Sequence, residues 1–503
     1  MHHCGNTGAG PSLRRGASIA LGLASITFVA HAQLRFEHLA TVDLSALTLP
    51  TSATFTGTQA ANVAWNGSEL VIAGWNAGMA TTVGIVRITD VFDTPVISAP
   101  FGVVSVVSGL GYSGLDVQGA MVAAPLDTGA TSAQGLALYD ASGAVVWSFS
   151  ARCTSGAAFD PDFLGAHGPG SGVGWVSFAG GRRALNDAAT GAEIYSLATG
   201  MIINSSSGTT WRDLDFDETN GDVYLRKSND VVRCVRTGSN DCVSTVLVNL
   251  IDSTQPRQNV AVLNADGGTY LLFNDRFTNA TGQSFFTVNK VTDTSGVAVA
   301  TNFGSFAPPT SNGAYDFGWD SGTDTLAVLD VSNVKAYLFQ LLTDPQDGSF
   351  CYGDGLDTSH TTPCPCANVG SAGRGCANSV HPEGARLLAT GSAAADDVVL
   401  RAQGMPATVA CIYLQGDAQD DVVFGDGVRC AGGSLLRLRT KLNVGGASSF
   451  PEALVDTITL SARGGVSVGS GLVRFYQTYY RNSAAAFCPP ETFNVSKGWL
   501  QVC

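Results

Sequence analysis

Short apolar runs alternate with small polar turns along residues 33–344, and the runs come in pairs. The pairs flank dipeptides that include Asn66-Gly67, Ser142-Gly143, Asn220-Gly221, Asp266-Gly267 and Ser321-Gly322. Asn-Gly and Asp/Ser-Gly turns accept the positive φ angles that tight β-hairpins require. The pattern therefore predicts short antiparallel strands joined by hairpins.

These hairpins recur at intervals of roughly 50 residues, a period that groups the strands into units of about four. We delimit six units, at 53–100, 105–150, 158–203, 209–251, 257–303 and 312–342. Such repeats are typical of β-propeller blades, and six blades fit slightly better than seven. We expect Leu34–Leu39 to close the ring by pairing with the last blade. The alternative is a pair of β-sandwiches with similar turns.

A second part of the chain follows a polar linker at 343–349. Its pattern predicts about eight strands, which are typical of a β-sandwich; they are placed at 385–390, 397–402, 409–414, 421–424, 434–442, 454–462, 472–480 and 498–502. In the fifth of them Leu436, Leu438 and Leu442 alternate with basic residues, so the leucines share one face. The predicted fold class is all-β, with a propeller over 33–345 and a cysteine-rich β-sandwich over 346–503.

The first residues predict export. Arg14 and Arg15 precede the apolar run 17–30, and Ala30-His31-Ala32 supplies a small-x-small cleavage pattern. The alternative is a membrane anchor, but the run is shorter than the roughly 20 residues that a bilayer requires. We therefore expect residues 1–32 to be a signal peptide, the protein to be secreted or held at the cell surface, and the mature chain to lack a transmembrane segment.

Composition supports this interpretation. The chain has 503 residues with 60 Gly and only 14% charged residues, as expected for short strands and tight turns. Its formal net charge of −14 would repel phosphate backbones, so nucleic acid is not an expected partner.

Eight of the twelve cysteines lie between 351 and 503, a density that in an exported chain predicts a disulfide framework. Cys364 and Cys366 are too close to bond each other, because their side chains diverge across one residue. If the first cluster pairs internally, two maps remain: 351–364 with 366–376, or 351–366 with 364–376. The other expected pairs are Cys411–Cys430, Cys488–Cys503 and Cys234–Cys242. Structural zinc is the less favoured alternative, because the gaps between Cys351, Cys364, Cys366 and Cys376 do not fit a metal knuckle.

Several short sequences in the second part resemble a family of modules. They are FCYGDG at 350–355, PCPCAN at 363–368, GRGCANS at 373–379, GDGVRCAGG at 425–433 and FYQTYYR at 475–481. Over about 350–503 the chain is similar to a cysteine-rich C-terminal module that recurs in large secreted proteins of planctomycete-type bacteria. The resemblance implies an extracellular β-module beside propeller-like regions, and it implies no activity.

Carboxylates are the strongest candidates for binding chemistry. Asp213, Asp215 and Asp217 alternate along a predicted strand and so share a face, with Trp211 and Arg212 beside them. We predict Trp211, Arg212, Asp213 and Asp215 as ligand-binding residues. Calcium is a weaker prediction, with Asp213, Asp215, Asp217, Asp354 and Asp357 as candidate ligands. Glu218 stands where a helix-loop calcium site needs Gly, and a structural turn or an acid/base pair are the other interpretations.

No catalytic residue is predicted. Gly465-Val466-Ser467-Val468-Gly469 matches a nucleophile motif in spacing but lies among predicted strands, without the helix that the motif requires. Three hypotheses of function follow. The first is a non-enzymatic binding or structural protein whose propeller recognises a glycan or a cell-envelope protein, without a cofactor unless calcium binds. The second is an extracellular enzyme acting on polysaccharide with carboxylates near the ring axis. The third gives the C-terminal module a sorting or anchoring role.

Overall fold

The computed structural model describes residues 34–47, 59–76, 82–92, 94–107, 110–128, 135–150, 154–161, 172–177, 183–191, 193–195, 211–227, 230–238, 241–250, 259–265, 267–274, 285–299, 301–303, 306–309, 314–342, 347–356, 360–371, 373–452, 455–484 and 486–503. These residues are nearly all in strands and turns, with a single short helix. Residues 33–503 form one compact unit. The predicted signal peptide and Asp357 lie outside the described residues.

The first half of the chain is a β-propeller, and its described residues form six blades. Strand β1 (Leu34–Asp43) comes before the first blade. Blade 1 contains β2 (Gln59–Trp65), β3 (Leu70–Trp75), β4 (Thr82–Thr89), β5 (Val96–Ile97) and β6 (Phe101–Ser105). Blade 2 contains β7 (Gly111–Tyr112), β8 (Asp116–Gln118), β9 (Met121–Asp127), β10 (Gly135–Tyr139) and β11 (Val145–Ser150).

The next three blades are four-stranded antiparallel sheets. Blade 3 contains β12 (Thr154–Asp160), β13 (Gly172–Ser177), β14 (Arg183–Asp187) and β15 (Glu193–Tyr195). Blade 4 contains β16 (Trp211–Phe216), β17 (Val223–Lys227), β18 (Val231–Gly238) and β19 (Asp241–Leu247). Blade 5 contains β20 (Ala261–Ala265), β21 (Gly268–Asn274), β22 (Phe286–Val291) and β23 (Gly296–Ala298).

The N-terminal strand completes the last blade. After β24 (Thr301–Asn302), blade 6 is built from β25 (Ala314–Asp320), β26 (Thr325–Asp330) and β27 (Lys335–Leu342), and β1 pairs antiparallel with β27. The ring is thus closed by hydrogen bonds between the two ends of the propeller sequence. This confirms the predicted closure.

The second half is a set of short sheets around a common core. Its elements are β28 (Gly348–Phe350), β29 (Arg386–Thr390), β30 (Val399–Gln403), β31 (Ala410–Gly416), β32 (Ala418–Phe424), β33 (Gly427–Gly432), β34 (Leu436–Leu442), β35 (Ser448–Phe450), α1 (Leu460–Gly464), β36 (Val473–Arg481), β37 (Phe493–Val495) and β38 (Gly498–Val502). One sheet has the order β28-β38-β36-β31-β34 with β37 on β36, and the others are β29-β30-β35 and β32-β33. We call residues 347–503 the C-terminal module.

One predicted strand in the module, 454–462, is wrong. Its described residues lead into helix α1, where the Thr459 side chain caps the amide of Ala462 and Gly465, at φ 66°, ends the helix. Alternation of apolar residues over so short a segment does not distinguish a strand from one helical turn. The nucleophile-like motif begins at this cap, so it does not form a strand-to-helix elbow.

The disulfides correct several predicted pairs. Cys364 bonds Cys376, as in one of the two maps, but Cys351 bonds Cys430 and Cys366 bonds Cys488. Cys411 and Cys503 are free thiols, so the predicted Cys411–Cys430 and Cys488–Cys503 pairs are wrong. The reason is packing: Cys351, Cys364, Cys376 and Cys430 meet in one small apolar cluster that the chain order does not reveal.

Cys234 in blade 4 is disulfide-bonded. The side chain of its predicted partner, Cys242, lies outside the described part of the molecule. The register places Ser244 opposite Cys234 and Arg236 opposite Cys242. The pairing of Cys234 with Cys242 stays a prediction.

The propeller and the C-terminal module share one hydrophobic core. Its buried residues include Leu39, Val42 and Leu338 from β1 and β27, together with Leu400 and Trp499 of the module. Around this core Lys497 pairs with Glu37 at 3.3 Å, and the guanidinium of Arg401 lies 5.2 Å from the ring centre of Phe92. Within the described residues no helix is long and apolar enough to cross a membrane.

Candidate ligand site on the propeller axis

The first strands of the blades surround a cavity of about 460 Å³ on the propeller axis. Five aspartates line it: Asp116 of blade 2, Asp213 and Asp215 of blade 4, and Asp316 and Asp320 of blade 6. Glu218 and Ser321 line it from the turns that follow the inner strands of blades 4 and 6. The axis is therefore a polar cavity with many hydrogen-bond acceptors.

A repeated β-bulge directs side chains toward this axis. The register of the inner strand shifts immediately before Asn62, Gly156, Asp213 and Asp316, in blades 1, 3, 4 and 6. A bulge adds one residue to a strand and changes the side to which the following side chains point. Of the four residues that follow this irregularity, Asp213 and Asp316 line the cavity.

Polar side chains of the inner strands connect the blades at all six boundaries. Three boundaries are crossed by side chains that donate: Asn62 to the carbonyl of Tyr112 at 2.8 Å, Ser155 to that of Trp211 at 2.8 Å, and Asn259 to the carboxylate of Asp316. At the other three, backbone N–H groups donate to aspartates; the pairs are Phe159 to Asp116 (2.6 Å), Val260 to Asp213 (3.0 Å), Val262 to Asp215 (2.7 Å) and Val63 to Asp316 (2.8 Å). In this way the polar groups on the axial edge of each inner strand, which has a sheet partner only on its other side, find hydrogen-bond partners.

In most of these carboxylates both oxygens accept hydrogen bonds from the protein itself. Besides the bond to the next blade, Asp116 accepts from the N–H of Val117 and Asp215 from that of Phe216, both at 2.8 Å. Asp316 accepts from Val63 and Asn259 through different oxygens. Each oxygen keeps a second lone pair that a ligand in the cavity can use.

Burial raises the pKa of Asp116, Asp213, Asp215 and Asp316. The pKa rises to about 7 for Asp116 and for Asp316. For Asp213 and Asp215 it rises well above the ordinary range, first through burial and then through repulsion from Asp316 and Asp116 respectively. Raised pKa values favour the protonated form of a carboxyl group, which can donate as well as accept a hydrogen bond.

The axial packing leaves no room for a side chain at Gly156. A Cβ there would lie 2.6 Å from the Cα of Asp213, which is backbone and cannot move aside. We expect Gly156→Ala to lower the free energy of unfolding by about 1–3 kcal/mol, the usual cost of overpacking. At Gly322 the nearest atom to an added Cβ is 3.6 Å away, so Gly322→Ala is the matched control. Urea unfolding of both variants tests this, and equal losses would contradict it.

The predicted ligand-binding residues separate into two groups. Asp213 and Asp215 line the cavity. Trp211 does not, because it is 0% exposed and packs with Ala158, Val176 and Leu214 between blades 3 and 4. Arg212 is half-buried, and burial lowers its pKa.

The weaker calcium candidates have structural partners. Asp217 is buried and accepts hydrogen bonds from Thr219, Asn220, Asn264 and Thr269, which joins blades 4 and 5. Asp354 accepts from the N–H groups of Leu356 and Gly373, both at 2.8 Å. In the described part of the chain, no group of three or more His, Cys, Asp or Glu side chains is arranged to hold a metal ion.

Sequence reasoning missed Asp116, Asn259 and Asp316. A signal for Asp316 was present, since 211–217 and 314–320 align as WRDLDFD and AYDFGWD when both are anchored on the turn aspartate. Asp316 then matches Asp213. Asp116 lies in the blade whose inner strand is split, so the same alignment does not find it.

Comparisons with known proteins give little beyond the fold. No protein-family model and no curated protein sequence matches the chain. The β-propeller domain of Cps50 (Swd1) from Myceliophteria thermophila is 12% identical, with a TM-score of 0.34 over 56% of this chain and 84% of that one. A functionally unknown protein from Desulfotomaculum acetoxidans is 12% identical, with a TM-score of 0.36 over 58% and 86%. The assignment as a propeller rests on the blades described above, and the resemblance of the module to a planctomycete-type family stays a prediction.

Proposed function

We propose that the protein is a secreted, non-enzymatic binding protein whose propeller holds one end of a glycan in the axial cavity. The observation that carries this proposal is the cavity itself, about 460 Å³ in volume and lined by carboxyl groups and amides. Sugars present several hydroxyl groups, each able to donate and accept hydrogen bonds, so they match such a wall. A cavity of this size suits one or two sugar rings better than a folded envelope protein.

The bonding of the aspartates favours binding over catalysis. A glycosidase needs one carboxyl group free to protonate the leaving oxygen and another free to attack or to activate water. Both carboxylate oxygens of Asp116, Asp215 and Asp316 instead accept hydrogen bonds within the scaffold, and at least one oxygen of each accepts from a neighbouring blade. Moving any of them toward a substrate would break the contacts between blades. This supports a rigid receptor.

Secretion is part of the proposal. Three disulfides in the C-terminal module support maturation in an oxidising compartment, because disulfides persist mainly in such compartments. They agree with the signal peptide expected at 1–32. The glycan would then belong to the cell surface or its surroundings.

A glycan-array screen of residues 33–503, followed by calorimetry on the hits, tests the proposal. Gln118 is exposed and lines the cavity, so the larger side chain of Gln118→Trp would narrow the opening. We expect it to weaken glycan binding at least tenfold. Ala141→Trp, in an exposed turn of the same blade outside the cavity, is the control and should bind normally.

Two results would overturn the proposal. Equal binding by Gln118→Trp and the parent would place the ligand elsewhere on the surface. Release of shortened sugars from a bound glycan, measured by chromatography after prolonged incubation, would make the protein an enzyme.

A further inference from the structure

A second cavity, of about 200 Å³, lies between blade 6 and the C-terminal module. Blade 6 contributes Asp324 and Gln340, and the module contributes the loop 391–394 together with Trp499 and Cys503. The N–H of Gly391 donates to the carbonyl of Thr323 at 3.4 Å, which ties the loop to the blade. This site is separate from the axial cavity and shares no lining residue with it.

A buried acceptor beside this cavity has no donor. Gln340 is 3% exposed, and its amide nitrogen donates to the carbonyls of Thr323 and Asp324, both at 3.1 Å. These two bonds fix the orientation of the amide. Its carbonyl oxygen, Oε1, has no hydrogen-bond partner among the described residues. Leaving a buried amide oxygen without a hydrogen bond is unfavourable, so a donor from a ligand would be favourable there.

The surroundings of Gln340 are acidic. Asp324 lines the cavity from blade 6, and Asp347 lines it from the module, where it accepts from the N–H of Val502 at 2.5 Å. No Lys or Arg is among the lining residues. A ligand must therefore bring hydrogen-bond donors, and positive charge on it would be favoured.

We propose that this junction cavity binds a primary ammonium group, with the side-chain carbonyl of Gln340 and the carboxylate of Asp324 as acceptors. The remaining wall fits the alkyl part of such a ligand, since Leu342, Ala389, Ala393 and the indole of Trp499 line it. The volume is many times the roughly 10–15 Å³ that one water requires, so a small amine can enter. The ammonium belongs either to a free amine or to a lysine side chain.

Calorimetry with n-butylammonium chloride and the full chain tests this site. We expect saturable binding, and binding at least tenfold weaker for tetramethylammonium, which has the charge but no N–H donor. Nα-acetyl-lysine amide distinguishes the two sources: binding comparable to that of butylammonium indicates a lysine side chain, and its exclusion indicates a free amine. Equal affinity for butylammonium and tetramethylammonium would overturn the proposal.

Two variants locate the ammonium. Asp324 has a positive φ of 51°, which Asn tolerates well, so Asp324→Asn removes the charge with little strain. We expect at least tenfold weaker binding. Ala394→Phe, at an exposed lining position, should block entry without changing the acceptors or the melting temperature. Unchanged affinity in both variants would overturn the proposal.

The dependence on pH provides an independent readout. Burial, with repulsion from Asp397 and Asp320, raises the pKa of Asp324 to about 6, and Asp347 faces the same cavity from the module. The carboxylate form binds the cation, so affinity should rise as pH increases through about 6 and then level off. This rise should disappear in Asp324→Asn, and its persistence there would contradict the assignment of Asp324.

Discussion

A chain that ends after Phe350 is expected not to fold, although it contains every blade of the propeller. The core between β1, β27 and blade 1 continues into the module, where Leu387, Leu400 and Trp499 belong to the same cluster. Each large apolar side chain that loses its cover costs roughly 1.5–3 kcal/mol. Exposure of several of them would cancel the free energy of unfolding of a typical domain, which is roughly 5–15 kcal/mol. Circular dichroism melting and size-exclusion chromatography of residues 33–350 test whether the shortened chain folds.

The control is the full chain with Cys366 and Cys488 both changed to Ser. This variant loses one disulfide of the module but keeps the shared core, so we expect a lower melting temperature and a folded protein. A cooperative transition of 33–350 at the melting temperature of the full chain would show that the module is dispensable for folding. Only in that case would deleting it test a role in sorting or anchoring, because a misfolded propeller is retained or lost for other reasons.

The propeller could be predicted because its signals are local. Each hairpin turn is encoded by neighbouring residues such as Asn220 and Gly221, and the repeat period follows from the blade itself. Disulfide pairing is different. Cys351 and Cys430 are 79 residues apart and meet only because β33 and the segment around Cys351 pack together. The sequence-based pairing favoured cysteines that are close along the chain, and this led to wrong disulfide partners for Cys351 and Cys430.

The candidate site was predicted in part, and a bulge explains the error at Trp211. In a regular strand Trp211 and Asp213 would share a face, and an indole beside carboxylates is a reasonable sugar platform. The register shift between them pairs Trp211 with Lys227 and Asp213 with Arg226, two consecutive residues of β17. Trp211 therefore points with Leu214 into the core. A bulge of this kind is set by tertiary packing and has no clear sequence signal here.

The junction between propeller and module also contains a buried charge cluster that the sequence does not reveal. Lys497 is 2% exposed as a side chain and contacts Glu37 at 3.3 Å, while Ser349 contacts both. Arg386 and Arg374 act electrostatically on the same group. Burial is the main reason that the pKa of Lys497 falls to about 8 and that of His38 to about 4. Lys497 and Arg386 thus share one nearby carboxylate, that of Glu37, whereas Arg374 has Glu383 as its acidic neighbour.

Because the positive charges outnumber the negative ones here, we expect substitution of Glu37 to lower the free energy of unfolding more than substitution of Lys497. Glu37→Gln leaves Lys497 and Arg386 without their shared counter-charge. We expect the free energy of unfolding to fall by about 3–5 kcal/mol, as for a broken buried ion pair. Lys497→Met should cost less, because Arg386 still compensates Glu37. Glu452→Gln is the control, since Glu452 is exposed and Lys441 keeps Asp456, so the loss should not exceed about 1 kcal/mol. Urea unfolding at pH 7 gives the three values.

The pH dependence of stability gives the same pair a second test. The pKa of Lys497 is about 8 in the folded protein and near its ordinary value of 10.5 when unfolded, so the unfolded state binds more protons between these values. The contribution of Lys497 to stability should therefore increase from about pH 8 to about pH 10.5. The difference in unfolding free energy between the parent and Lys497→Met should shift in favour of the parent over that interval. A difference that stays constant from pH 7 to pH 10.5, or a smaller loss for Glu37→Gln than for Lys497→Met, would mean that the cluster is not short of negative charge.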